Sequence, residues 1–205
     1  MNHSVQSVQT LHDDAYGLYN TVVVGGGNSS ADTILANLSA GIQNLKANWR
    51  GKDAGVQINN VIVVYNAMTG IRNYLAELAA TTSKIAADYR GIQNSNGAGL
   101  EAFGVIAADG VSTMGEYADN ADTINITPEA NNGKVKIDAA NSAMEQFITD
   151  ARRYFENIKQ NWTAGTGREE LLNKFDGLVA SANNFKNSLA DVSSSITTAL
   201  RNYGN

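Results

Sequence analysis

Residues 34–51 read ILANLSAGIQNLKANWRG and describe one helix that ends in a Trp-X-Gly turn. The apolar positions, at steps of three or four residues, are Ile34, Leu38, Ile42, Leu45 and Trp49. This spacing is typical of an amphipathic α-helix, because a strand would require a period of two. Glycine relaxes the backbone conformation that ends a helix, so Gly51 indicates a tight connection to a second helix.

The same pattern recurs later in the chain. Residues 147–162 read FITDARRYFENIKQNW and place Trp162 at the position of Trp49, 113 residues further on. The matching apolar positions are Phe147, Ala151, Phe155 and Ile158. Upstream, Val22–Val24 aligns with Val135–Ile137 at the same offset. The sequence therefore predicts an internal duplication of one helical unit.

Each turn leads into a second apolar stripe at helical spacing. In the second copy, steps of three and four alternate through Phe175, Leu178, Ala182, Phe185, Leu189, Val192, Ile196, Ala199 and Tyr203. In the first copy a corresponding stripe runs from Ile58 to Tyr89. An alternating repeat of this kind is typical of left-handed helical bundles. We therefore predict an all-α fold in which two antiparallel helical hairpins form an intramolecular four-helix bundle.

The sequence divides into four parts on this interpretation. They are an N-terminal helix and connector (1–27), a first hairpin (28–92) with its turn at 49–51, a linker and insertion (93–139), and a second hairpin (140–205) with a degenerate turn at 162–165. The N-terminal helix is predicted from apolar residues at helical spacing, namely Val5, Val8, Leu11, Ala15 and Leu18.

Two elements are predicted within the insertion. A short helix interrupted by glycines is indicated by Leu100, Phe103, Ile106, Val111, Met114 and Tyr117. A small β-hairpin is indicated by Ile124–Ile126 and Val135–Ile137, which flank the Asn132-Gly133 turn signal. The β-branched triplet Val22–Val24 is predicted to join this hairpin as a third strand.

Composition excludes several classes of function. With 15 basic and 20 acidic residues the net charge is −5, and no basic run could follow a phosphate backbone, so a nucleic-acid partner is not expected. The absence of cysteine excludes disulfides and thiolate metal sites. No segment approaches the ~20 apolar residues that span a bilayer, so we expect no membrane insertion. The first 20 residues lack the basic and apolar regions of a cleavable signal peptide, which predicts a cytoplasmic protein or one secreted by another route.

Two amphipathic helices joined by a Trp-X-Gly turn, with a Tyr near the end of the second helix, resemble the WXG family of small proteins associated with type VII secretion in Gram-positive bacteria. The first copy matches the turn motif directly, and the second matches it with one additional residue. The resemblance implies that two units which pair as separate chains in the family are fused here into one polypeptide. The matching positions are Trp49, Gly51, Trp162, Gly165, Tyr89 and Tyr203.

The resemblance also implies a function. It predicts a non-enzymatic substrate, adaptor or chaperone-like partner in a type VII-like secretion system, acting through protein–protein contacts. The expected partner is the secretion machinery or a co-secreted protein, and a further dimer of the bundle is left open. The family's export motif is a Tyr followed four residues later by an acidic residue. Gln93 occupies that position after Tyr89, and Gly204 and Asn205 follow Tyr203, so neither copy carries the acidic residue.

The aromatic positions have two interpretations. Trp49 and Trp162 either close the ends of a bundle as large core residues or form a surface that contacts a secretion ATPase or another partner. Tyr89 and Tyr203 lie on the apolar stripe, which favours core packing. The alternative function is a structural or interaction module of a phage or surface assembly that uses the same hairpin.

Other residues suggest chemistry only weakly. The glycines at 25–27, before Asn28-Ser29-Ser30, lie in the position of a phosphate-binding loop, but no Lys-Ser or Lys-Thr follows them, which favours a flexible connector. An N-terminal cluster of His3, His12, Asp13 and Asp14 has the side-chain types of a metal or acid–base site, yet a solvated helix explains it more simply. We therefore predict no enzyme activity, no cofactor and no metal.

Overall fold

The computed structural model describes residues 4–119, 121–163 and 167–204, and most of them are helical. Its elements are α1 (Val5–Gly17), which continues as a π-helix (Leu18–Val23), α2 (Ala31–Asn48), β1 (Trp49–Arg50), α3 (Lys52–Ser95), β2 (Asn125–Ile126), α4 (Ala130–Asn161) and α5 (Arg168–Tyr203). The two short strands pair with each other in antiparallel orientation. The prediction of a mainly α-helical fold is confirmed.

Capping residues define where the helices begin. The Ser30 hydroxyl oxygen accepts a hydrogen bond from the Thr33 backbone N–H at 3.2 Å and so caps α2. Because this side chain already satisfies an N–H group at the helix start, it favours the connector interpretation of residues 25–30 over an anion site. Gly51 and Gly167, both with positive φ, precede α3 and α5.

Helices α2 and α3 run antiparallel, as do α4 and α5. Asp32 at the start of α2 contacts Arg72, which lies well inside α3, at 2.9 Å. In the second pair, Phe155 near the end of α4 stacks on Phe175 near the start of α5, with ring centroids 3.8 Å apart. Further along, the Ser193 hydroxyl donates to Asp138 at 2.6 Å.

One side of α3 is shared by two helices placed end to end. At 44 residues, α3 is about 66 Å long, whereas α1 and α2 are much shorter. Helix α2 packs on the N-terminal half of α3, and α1 packs on its C-terminal half, where Arg90 donates to Gln9 at 2.9 Å. Helix α4 packs on α1 and α2 as well, and Asn157 donates to Asp14 at 3.1 Å.

Helices α2 and α4 approach closely at a pair of glycines. A Cβ atom on Gly133 would lie 2.9 Å from the Asn44 side-chain oxygen and 3.1 Å from the Gly41 carbonyl oxygen. A Cβ on Gly41 would lie 2.9 Å from Ile137. The Asn132-Gly133 pair was predicted to form a hairpin turn, but it lies in the first turn of α4. Glycine is needed here for close helix packing, so the hairpin prediction was wrong.

The remaining strand predictions also require correction. Val135–Ile137 lies within α4, where Ile137 is fully buried and continues an apolar stripe toward Met144 and Phe147. Val22 and Val23 are buried in the π-helix rather than in a third strand. Each of these segments is short and β-branched, and its burial against neighbouring helices outweighs a weak local preference for strand. Of the predicted β segments, only Asn125–Ile126 is a strand, and its partner is the turn at Trp49–Arg50.

Residues 98–119, here called the strap, follow α3 and run back along it without regular secondary structure. The short helix predicted over Leu100–Tyr117 is therefore wrong. Asparagine side chains on α3 hold the strap, and each one both donates to and accepts from the backbone of a single strap residue. The pairs are Asn73 with Val111, Asn66 with Met114, and Asn59 with Tyr117, at 2.7–3.0 Å.

Two periodicities explain why the strap is extended. Residues seven apart on a helix lie on one face and are separated by about 10.5 Å. Three residues of extended chain cover nearly the same distance, about 10 Å. The apolar strap residues therefore recur every three positions, at Val111, Met114 and Tyr117, and are half-buried against the core. Apolar residues at a constant spacing of three, with no alternating step of four, fit an extended segment beside α3 better than they fit an amphipathic helix.

Candidate functional site

The first Trp-X-Gly turn is built into the fold by β1 and β2. Trp49 pairs with Ile126 and Arg50 pairs with Asn125. Trp49 is 2% exposed and ends α2, and its backbone N–H bonds to the carbonyl of Leu45. The turn is thus anchored on both sides, by the helix that leads into it and by a strand that returns from the strap.

Gly51 is required by the backbone conformation of this turn. Its φ of 109° lies where side chains with a Cβ are strained, and an added Cβ would meet the Ile124 Cα and the Thr123 carbonyl oxygen at 3.3 Å. Its backbone N–H donates to the Asp119 carboxylate at 3.1 Å. Backbone hydrogen bonds from Ala121 and Gly51 lower the pKa of that carboxyl. The end of the strap is therefore tied to the start of α3.

Replacing Gly51 by Ala is expected to lower the free energy of unfolding by about 1–3 kcal/mol, because the residue must keep a strained backbone conformation. Urea denaturation followed by circular dichroism measures the change. The matched control is Gly70→Ala, since Gly70 lies inside α3 and a Cβ there meets nothing within 4 Å. That variant should gain up to about 1 kcal/mol of helix propensity. Equal effects of the two substitutions would contradict the assignment.

The turn and the end of the last helix line one surface cleft. Trp49, Asp53 and Gln57 form one wall, and the end of α5 forms the other. The cleft has a volume of about 330 Å³, and its α5 residues are Ser194, Ser195, Thr198, Ala199, Asn202 and Tyr203. Tyr203 is 50% exposed, so it lies at the surface and not in the core as its place on the apolar stripe predicted. The structure thus brings together Trp49 and Tyr203, from the two predicted copies.

The other sequence-predicted positions lie elsewhere. Trp162 is fully buried at the end of α4, where its backbone carbonyl accepts from Arg168. Tyr89 is half-buried near the end of α3. Gly165 lies outside the described residues, and Gly167 is the glycine that precedes α5 with positive φ. Trp162 and Tyr89 therefore do not belong to the cleft at Trp49.

Polar side chains line much of the cleft. Its walls carry hydroxyl and amide groups together with one exposed carboxylate, Asp53. The indole N–H of Trp49 is buried and has no hydrogen-bond partner among the residues that the structure describes. A buried donor without an acceptor costs free energy and requires an explanation. The described residues that line the cleft can therefore accept and donate hydrogen bonds.

The N-terminal histidine is used for packing. His12 stacks on Phe103 of the strap, with centroids 4.0 Å apart, and lies against Tyr16. His3 lies outside the described residues. Within the described ranges, no group of three or more His, Asp or Glu side chains is placed to hold a metal ion. In the same part of the chain, every helix is too short or too polar to cross a bilayer.

Two polar features of the structure were not found from the sequence. Asn59, Asn66 and Asn73 recur at intervals of seven, and this spacing is a signal that the sequence does contain. Arg72 is 1% exposed and contacts both Asp32 and Asp109, which joins α2, α3 and the strap. The sequence offered no signal for Arg72, because its two partners are distant along the chain.

Comparisons of the chain with protein-family models, curated proteins and solved structures give no match.

Proposed function

We propose that this protein is a non-enzymatic interaction protein of a type VII-like secretion system, which binds a protein partner through the cleft at Trp49 and Tyr203. The observation that carries the proposal is that these two aromatic residues line one cleft. In the WXG resemblance, the turn Trp and the C-terminal Tyr are the positions that define the motif. Their position on one cleft supports the proposal that the two residues act together in binding.

The exposure of Tyr203 supports a role in binding. A half-exposed tyrosine at the end of a helix contributes little to the core, but tyrosine is enriched among the residues that dominate binding energy at interfaces. Asp53 adds a negative charge at the edge, so a polar or basic helix end is the complementary surface.

We further propose that two duplicated hairpins form an intramolecular four-helix bundle. Trp49 and Trp162 support this because each follows directly after the first helix of a pair and donates its backbone N–H to the residue four positions earlier. The pairwise packing of α2 on α4 and of α3 on α5 joins the two pairs. A covalent tether keeps such a bundle together at an effective concentration of about millimolar, independent of expression level.

The Tyr203→Ala variant tests the binding surface. We expect it to remain as stable as the wild type within about 0.5 kcal/mol, as surface substitutions do. Its affinity for the protein encoded beside this gene should fall at least tenfold, which corresponds to about 1.4 kcal/mol. Isothermal titration calorimetry with the purified neighbour measures the affinity. The matched control is Asn184→Ala, an exposed position midway along α5, which should leave binding unchanged.

Gene neighbourhood separates this proposal from its alternative. A gene for a membrane FtsK-type ATPase or for a toxin with a helical N-terminal region would support the secretion function. Tail or capsid genes would instead support a structural module of a phage or surface assembly. A Tyr203→Ala variant that binds every neighbouring product as well as the wild type would contradict the assignment of the cleft.

A further inference from the structure

We propose that α3 carries a binding site for an extended polypeptide segment, recognised through its backbone, and that the strap is the resident ligand of this site. The recognition elements are Asn59, Asn66 and Asn73, here called the asparagine ladder. This inference concerns a different face of the molecule from the cleft at Trp49 and does not depend on the secretion proposal.

The geometry of each contact carries the inference. The Asn66 side chain donates to the Met114 carbonyl oxygen at 2.9 Å, and its own oxygen accepts from the Met114 N–H at 2.7 Å. One carboxamide thus satisfies both backbone groups of one residue, as a neighbouring strand does in a sheet. Asn59 and Asn73 make the same pair of bonds with Tyr117 and Val111.

The hydrogen bonds of the ladder recognise the backbone of the ligand and not its side chains. Every residue except proline carries the N–H and C=O that the ladder binds. The strap residues between the anchored positions, at 112, 113, 115 and 116, are exposed, so the ladder places no demand on their side chains. The site therefore requires an extended chain with an apolar side chain at every third residue, and it places few other demands on sequence.

The spacing of the ladder makes it selective for an extended ligand. The ladder positions repeat every seven residues of α3, and the bound positions repeat every three residues of the strap. A helical ligand would advance only about 4.5 Å over three residues, less than half the spacing of the ladder. The site thus favours extended, unfolded segments over folded helices. The partner that fits it is a polypeptide segment in an extended conformation.

Where the strap crosses the ladder it is held by the clamps and by proximity, and its side-chain packing there is modest; outside the ladder the ion pair of Asp109 with Arg72 also fixes it. Val111, Met114 and Tyr117 are only half-buried. A tethered segment nevertheless competes at an effective concentration of about millimolar. A segment from another chain must therefore bind better than the strap or arrive when the strap is released.

The test uses a fluorescent peptide with the strap sequence GVSTMGEYAD (110–119) and measures its binding by anisotropy. The receptors are the full chain and a strap-released full chain carrying Val111→Asp and Met114→Asp, which place carboxylates against the apolar core. We expect the strap-released chain to bind the peptide at least tenfold more tightly than the wild type, because the competing segment no longer occupies the ladder.

Two matched comparisons identify the ladder as the site. In the strap-released chain, Asn66→Ala should weaken peptide binding about tenfold, whereas Asn60→Ala, the exposed neighbour of Asn59, should leave it unchanged. A peptide N-methylated at its methionine lacks one N–H donor and should also bind about tenfold more weakly. Equal effects of Asn66→Ala and Asn60→Ala would overturn the proposal. So would a strap-released chain that keeps its helical circular dichroism spectrum but binds the peptide no more tightly than the wild type.

Hydrogen exchange on the wild-type chain provides the test if the strap-released variant fails to fold. Excess unlabelled peptide should displace the resident strap and accelerate exchange of the amides of Val111, Met114 and Tyr117 at least threefold. The N-methylated peptide should not. Unchanged exchange at saturating peptide would show that the ladder accepts no ligand except its own strap, and the proposal would then be wrong.

Discussion

The Trp162→Ala variant is expected to lose about 3–5 kcal/mol of unfolding free energy, the range measured for large aromatic residues removed from protein cores. Trp162 is the largest fully buried side chain in the described part of the chain, at 0% exposure. It ends α4, and its backbone N–H bonds to the Ile158 carbonyl at 2.7 Å, so its backbone is fixed at the helix end. Chemical denaturation monitored by circular dichroism measures the loss.

The matched control for Trp162 is the exposed aromatic residue at the end of α5. Tyr203→Ala removes a ring that is 50% exposed and should cost less than about 0.5 kcal/mol. If Trp162→Ala proved as mild as Tyr203→Ala while a partner no longer bound, the residue would be a contact surface and its assignment to the core would be wrong.

Removing both carboxylates around Arg72 is expected to cost about 3–5 kcal/mol, because an unpaired buried charge remains. Arg72 is 1% exposed, and its guanidinium contacts the carboxylates of Asp32 and Asp109, each at 2.9 Å. It also donates to the Asp109 carbonyl at 2.5 Å. Burial lowers the pKa of Arg72, but the hydrogen bonds with both carboxylates outweigh it and shift the pKa upward. The cation therefore stays charged, and the Asp32→Ala/Asp109→Ala variant should be severely destabilised.

The complementary substitution should be milder. Arg72→Met keeps much of the side-chain volume, and it leaves behind Asp32 and Asp109, whose side chains are 38% and 61% exposed and can be hydrated. An exposed pair provides the control. Arg152 and Asp176, 3.8 Å apart, are 51% and 83% exposed, so Asp176→Ala should cost less than about 1 kcal/mol. If Arg72→Met lost as much unfolding free energy as the Asp32→Ala/Asp109→Ala variant, this account would be wrong.

The same network predicts an acid dependence. The hydrogen bond from Arg72 lowers the pKa of Asp109 below its ordinary value of 3.8. A carboxyl with a depressed pKa in the folded state stabilises the protein above its unfolded pKa, and this contribution is lost as the pH falls through the folded pKa. Denaturation midpoints should therefore decrease below about pH 4. The Asp109→Asn variant should show a shallower decrease, because it lacks the titrating group.

The helices were predictable because their apolar stripes are long. The stripe through Phe175, Leu189 and Ile196 repeats over many turns, and only helix packing can bury it. The segments at Val22–Val24 and Val135–Ile137 are too short for a period to be distinguished. Their conformation is decided by neighbours distant in sequence, such as Gly41 against Gly133. Local pattern alone could not supply that contact.

The surface features were predictable only in part. Trp49 and Tyr203 were singled out from the sequence, but their meeting in one cleft depends on how α5 packs beside α3. The asparagine ladder has a visible spacing, yet its partner repeats every three residues and not every seven. The seven-residue spacing on α3 can be matched to the three-residue spacing on the strap only once the strap is known to run back along α3. The sequence does not predict this path.

The ladder also constrains how the gene can change in length. One residue inserted between Val111 and Met114 would place the wrong peptide group opposite Asn66, so the chain would bulge or lose a clamp. The pairing between strap and helix is kept when three codons are added to the strap and seven to α3, since each addition lengthens its segment by about 10 Å. We therefore expect insertions and deletions in these two segments to be coupled.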